Sequence, residues 1–170
     1  EEGGEFLSND KAFATPPWVN LRTLENASIA FENDESGLNE KWLRELLAPG
    51  SSLGGARPKA TVQATDGALW IAKFPSTRDD YDVGAWELVV NALANHCGLR
   101  VATGIARRYA SDHHCFMVKR FDRTERGGRL HFASAMTLTD RVDGDDASVG
   151  ASYLELAEVL MEHGSQTNAD

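Results

Sequence analysis

Cysteine, methionine and proline are scarce in this 170-residue chain, at two, three and five residues. Two cysteines, Cys97 and Cys115, cannot make a disulfide framework. Each lies in an apolar-rich segment, so the expectation is a pair of buried free thiols. His96 precedes Cys97 and His113-His114 precede Cys115, but neighbouring residues on a helix or strand point apart, which argues against either pair closing on a zinc ion. Positive charge is short as well: 17 Lys and Arg stand against 26 Asp and Glu, a formal net charge of -9. An acidic surface lacks the basic face that displaces counterions from a nucleic acid, so no direct nucleic-acid binding is expected. No run approaches the roughly 18 apolar residues of a membrane span. The start, Glu1-Glu2-Gly3-Gly4-Glu5-Phe6, has neither the positive nor the apolar part of a signal peptide. The expectation is a cytoplasmic protein that makes no membrane contact. Opening on Glu1 rather than methionine reads as a processed chain or a fragment.

What is present suffices for a core: 42% of the residues are hydrophobic and 25% charged. The first third carries few regular signals. Pro16-Pro17-Trp18-Val19 reads as an extended lead-in, because a residue before proline is pushed out of the helical region. Leu38, Trp42 and Leu46, with Leu43 and Leu47 beside them, form a helical stripe over residues 38–47, with Asn39 as N-cap and Pro49-Gly50 as its end. Residues 59–64 and 69–74 read as the arms of a hairpin around Thr65-Asp66-Gly67. The second arm alternates, with Trp70, Ala72 and Phe74 on one face and Leu69, Ile71 and Lys73 on the other.

A polar loop with Asp79, Asp80 and Asp82 then leads into the clearest helix, residues 83–97. Its apolar stripe is Trp86, Val89, Val90, Leu93 and Cys97, and Gly98 stands at the C-terminal cap. Strands over 105–109 and 115–120 follow, and the short apolar run 130–132 could add another. Residues 140–150 read as a linker without the calcium-loop pattern. Ser152-x-x-Glu155 is a capping box that opens a last helix reaching about His163. The layout is α+β: an antiparallel sheet with a helix packed on it.

Four features could carry chemistry. Gly50-Ser51-Ser52-Leu53-Gly54-Gly55-Ala56-Arg57-Pro58-Lys59 lies between a helix and a strand, and its glycines would let backbone N–H groups approach a phosphate. It has neither the Walker A nor the G-x-G-x-x-G spacing, and a surface turn would look the same. Lys73, inside the apolar strand Trp70-Ile71-Ala72-Lys73-Phe74, must be paired or reach solvent. Glu87 stands early in the following helix, where it suits the dipole whether or not it pairs with a lysine. Met117-Val118-Lys119-Arg120-Phe121-Asp122-Arg123 ends a strand in mixed residues that could offer backbone groups to an adenine edge or merely end the strand.

Taken together, Ser52-Leu53-Gly54-Gly55-Ala56-Arg57-Pro58-Lys59-Ala60, Ile71-Ala72-Lys73-Phe74-Pro75, Trp86-Glu87 and Val118-Lys119-Arg120-Phe121-Asp122-Arg123 resemble the successive motifs of the HipA family of serine/threonine kinases, commonly toxins of toxin–antitoxin pairs. The resemblance runs from about Leu47 to His163. It implies a kinase-like N-lobe over 48–139, preceded by an N-terminal segment over 1–47 and followed by a linker and the first helix of a C-lobe over 140–170. It further implies ATP and Mg2+ as cofactors. Ser52, Gly54, Gly55, Ala56 and Lys59 would form the phosphate loop, with Ser52 also a regulatory phosphorylation site. Lys73 would hold phosphates with Glu87 as its partner, and the backbone from Lys119 to Phe121 would hold adenine. The implied partners are a protein substrate such as an aminoacyl-tRNA synthetase and a HipB-like DNA-binding antitoxin.

Two departures qualify the resemblance. Arg57-Pro58 replaces the Gln-Glu that some members carry before the loop lysine, and proline removes a backbone donor. The family's catalytic aspartate and its metal-binding asparagine and aspartate find no counterpart, so the chain alone is expected to transfer no phosphate. A noncatalytic module that binds and restrains a separate kinase is the alternative reading.

Overall fold

The structure is a computed structural model that describes residues 17–33, 57–124, 128–142 and 144–164. The helix expected over 38–47 and the loop residues Ser52, Gly54, Gly55 and Ala56 lie outside them. The chain divides into two compact units, residues 1–130 and 131–170.

The first unit is built on a four-stranded antiparallel sheet, so the fold is α+β as expected. Its strands are β1 (Lys59–Gln63), β2 (Leu69–Lys73), β3 (Gly104–Arg107) and β4 (Cys115–Lys119), in the order β1-β2-β4-β3. Asp66 and Gly67 shape the β1–β2 hairpin: the Asp66 carboxylate accepts the Ala68 N–H at 2.9 Å, and Gly67 takes a φ of 84°. Residues 130–132 form no strand. Only an isolated bridge joins Arg123 to Arg129, because the chain has already left the sheet.

Alternation along the strands sorts the side chains onto two faces. One face carries Ala60, Val62, Ala72, Phe74, Cys115 and Met117, all buried, with Trp70 and Ile105 packed at the margin. Leu21 and Leu24 of α1 (Leu21–Glu32) close this core. Of the lead-in expected at Pro16–Val19, Pro16 lies outside the described residues and Pro17 is extended. Pro17 makes one parallel bridge with Gln63, Trp18–Asn20 form a 3-10 turn, and α1 follows at once. That helix escaped the periodicity reading because its buried stripe includes Glu25 and Ser28 beside Leu21, Leu24 and Ala27.

Helix α2 (Val83–His96) lies over β3 and β4 on the other face. Gly98, at φ 85°, ends it where a C-terminal cap was expected. Of the two thiols expected to be buried, Cys115 is and Cys97 is not, because Cys97 lies at the end of α2 on its outer side. Burial, helped by nearby Glu25, pushes the Cys115 thiol far up from its ordinary value.

The second unit holds α3 (Ala135–Leu138), a 3-10 turn at Ala147–Val149 and α4 (Tyr153–His163). The Ser152–Glu155 capping box is formed in both directions. Arg141 ties this box down by donating to the Glu155 carboxylate at 2.6 Å and to the Val149 carbonyl at 3.1 Å. Among the described residues no helix is long and apolar enough to cross a membrane.

Candidate functional site

The sheet face turned away from α1 has an ordered chemistry that follows from strand register. Its first cross-strand row runs Lys59, Lys73, Phe116 and Ala106. The second runs Thr61, Ile71, Val118 and Gly104. At the far end stand Gln63 and Leu69, and the Arg120 N–H donates to the Leu69 carbonyl at 2.9 Å. One end is thus cationic and the middle apolar. Four residues of strand, about 13 Å, separate Lys73 from Leu69.

Two directly opposed lysines repel each other, and the surroundings sharpen this. Burial lowers the Lys59 ammonium from its ordinary value, and the charges of Lys73 and Arg57 lower it further. Lys73 forms an ion pair with Glu87 of α2, and both side chains are about 30% exposed. The Lys73 ammonium also lies 5.6 Å over the Phe116 ring, a cation–π distance. Arg57 leads out of the glycine-rich segment and is held by Asp79 through a bidentate pair of 2.9 and 2.5 Å. The Asp79 carboxylate also accepts the Ser76 N–H at 2.9 Å. The next residues are fastened to the end of α1, where Glu32 accepts from the Ser76 hydroxyl at 2.8 Å and the Thr77 N–H at 2.6 Å.

Helix α2 is attached to this face by polar and small groups. Asp82, its N-cap, accepts the Ala85 N–H at 3.1 Å and the His114 N–H at 2.9 Å through one oxygen. Its other oxygen lies 2.5 Å from His114 Nδ1. Burial alone would raise the Asp82 carboxyl, but the hydrogen bonds from His114 and Ala85 prevail and hold it down at about 2. Farther along, Asn91 donates to the Ala102 carbonyl at 3.0 Å.

At the end of β4, Arg120 donates to Asp122 through Nε at 2.8 Å and Nη2 at 2.6 Å, and Arg123 donates to it at 2.6 Å. The hydrogen bonds from Arg120, despite the opposing effect of burial, bring the Asp122 carboxyl below its ordinary value. This lock leaves Phe121 projecting, 64% exposed. The N–H of Lys119 donates to the Thr103 carbonyl at 2.9 Å, so this donor and that of Arg120 belong to the sheet.

Of the residues singled out from the sequence, Lys59, Lys73 and Glu87 come together at one end of the face. Lys119, paired with Trp70, sends its side chain to the opposite face, so only the backbone from Lys119 to Phe121 borders the far end. Asp82, His114 and the Arg57–Asp79 pair escaped that reading. In the sequence Asp79, Asp80 and Asp82 read only as a polar lead into the helix, and none of their distant partners leaves a local signal. No group of three or more His, Cys, Asp or Glu positioned for a metal occurs among the described residues.

No curated protein and no solved structure matches the chain. A family model does, that of the HipA-like C-terminal domain, over residues 51–170. That span takes in the whole sheet, α2 and the second unit, and so the chain belongs to the HipA-like C-terminal domain family.

Proposed function

We propose that this chain binds ATP on the sheet face opposite α1, as the nucleotide-binding part of a HipA-type serine/threonine kinase. The observation that carries the reading is the Lys73–Glu87 pair, set directly across from Lys59. Cations crowded at one end of an apolar strip repel one another, and a polyphosphate relieves that repulsion. Lys73 and Lys59 would hold phosphates there, with Glu87 keeping the Lys73 side chain extended toward them. Thr61, Ile71 and Val118 form the floor. The adenine would lie beyond it, beside Leu69 and the segment from Lys119 to Phe121, and a nucleoside triphosphate stretched along β2 suits the separation of about 13 Å. The loop donors Ser52, Gly54, Gly55 and Ala56 would close over the phosphates, with Ser52 as a phosphorylation switch.

Magnesium would shield the phosphate charge, but the described residues offer it no carboxylate cluster, and no step is routed through it. A protein serine as acceptor, a translation enzyme as substrate, a DNA-binding antitoxin as partner and a toxin role belong to the same proposal and rest on the family.

Calorimetric titration of the chain with ATP tests the site. Lys73→Ala is expected to weaken binding roughly tenfold or more, the worth of a charge-assisted contact, with unchanged circular dichroism. Equal affinities for the two proteins would remove the site from this face.

A further inference from the structure

Helix α2 rests on the sheet in an unusual way. Most of its large apolar side chains turn outward: Trp86 is 60% exposed, Val89 44%, Val90 61% and Leu93 57%, while Leu88 is half-buried. Among the residues that meet the sheet are Gly84, Glu87 and Asn91, spaced three and four apart and so on one line of the helix. At Gly84 the two backbones nearly touch, and a Cβ there would stand 1.9 Å from the His114 carbonyl oxygen. At Gly104, a Cβ would stand 2.9 Å from the Phe116 ring and 3.1 Å from the Asn91 side chain.

An ordinary amphipathic helix finds its height and rotation by burying an apolar stripe. Here most of that force is turned away from the sheet, so the setting of α2 falls largely to its polar ties. The tie nearest Glu87 is Asp82. One carboxylate caps α2 at Ala85 and grips both the backbone and the ring of His114, the residue just before β4. Arg108 approaches the same carboxylate at 3.9 Å. Glu87 follows Asp82 by five residues, about 7.5 Å along the axis, so a small lift of the helix start carries its carboxylate off Lys73.

We propose that Asp82 and His114 form a clasp that, with the backbone contact at Gly84, sets the height of α2 over the sheet and thereby keeps Glu87 on Lys73. Both are positioning residues. Their effect on Lys73 stands by itself, while their effect on nucleotide affinity rests on the function proposed above.

The first measurement needs no nucleotide. The chain is treated with limiting acetic acid N-hydroxysuccinimide ester, and Lys73 labelling is read by peptide mass spectrometry with exposed Lys119 as internal reference. Acylation requires the unprotonated amine, and a lysine pinned against a carboxylate presents it poorly to the ester. Asp82→Asn and His114→Ala are each expected to speed Lys73 labelling roughly 3- to 30-fold, the range of coupled networks. Glu87→Gln should do the same, and adding Asp82→Asn to Glu87→Gln should change nothing further. His114→Gln, which retains a side-chain donor, should restore most of the protection. Circular dichroism confirms the fold, and His114→Ala leaves the Asp82 cap on Ala85 in place should Asp82→Asn prove unstable.

Lys73 labelling at the wild-type rate in both clasp variants overturns the proposal. So does a full additional effect on top of Glu87→Gln, since Asp82 would then act elsewhere. The second measurement is ATP affinity in the same variants, expected to fall in step with the labelling. A wild-type chain that binds no ATP would end the functional reading and leave the labelling result to decide the clasp.

Discussion

Asp82 shows how much one short side chain can do at a junction of elements. Its carboxyl is held at about 2, against an ordinary value near 3.8, by partners that exist only in the folded chain. A depressed carboxyl stabilises the fold at pH values above the unfolded value and loses that contribution as pH falls toward the folded one. The window is therefore roughly pH 4 down to 2. Asp82→Asn removes the charge and nearly preserves the shape, so the stability gap between wild type and variant should shrink across that window, by up to about 2 kcal/mol. Urea melts of both proteins at pH 5 and pH 2.5 measure it, and the other carboxylates cancel in the comparison. A gap independent of pH would mean that the His114 hydrogen bonds do not depend on the Asp82 charge. From the sequence Asp82 reads only as one acid of the polar loop before an apolar helix. Its partner lies 32 residues away, and no local pattern names it.

At the scale of elements, α1 holds the turn between β3 and β4 through a buried carboxylate. Glu25 is fully buried, and one oxygen accepts the Ser111 N–H at 2.9 Å, the Ser111 hydroxyl at 2.8 Å and the Ala110 N–H at 3.3 Å. The other oxygen has no hydrogen-bond partner among the described residues. Glu25→Ala would strip an acceptor from two backbone donors and should destabilise the first unit by about 1–3 kcal/mol. Glu25→Gln keeps a carbonyl oxygen for the same donors and should cost clearly less. Thermal melts that rank the two variants alike would show that the turn does not need this acceptor. The same residue explains why α1 was missed. A carboxylate and the Ser28 hydroxyl in the buried stripe break the apolar period, and tertiary hydrogen bonding is what makes a glutamate acceptable there.

Across the whole molecule, the two helices described in the first unit, α1 and α2, meet the sheet by opposite means. α1 presses Leu21 and Leu24 into the core, whereas α2 exposes its apolar stripe. Trp86→Gln should therefore shift the stability of this chain by less than about 1 kcal/mol, while Leu24→Ala should cost about 2–5 kcal/mol. Denaturant melts of the two variants compare them, and a Trp86→Gln cost matching that of Leu24→Ala would place the tryptophan in a core. The hairpin, the length of α2, its Gly98 cap and the Ser152 capping box were all determined by the sequence, since each depends on contacts within a few residues. Periodicity also located the stripe of α2 and the two faces of β2. It could not say which side of α2 meets the sheet, because a stripe reports only that apolar residues share a side. That choice was made by Gly84 fitting against the His114 carbonyl and by Glu87 reaching Lys73, contacts 30 and 14 residues apart in the chain. Likewise, Lys59 and Lys73 were visible as separate residues, but their direct opposition is a matter of strand register. Local chemistry settles elements; only the pairing of distant strands and helices brings those charges to one place.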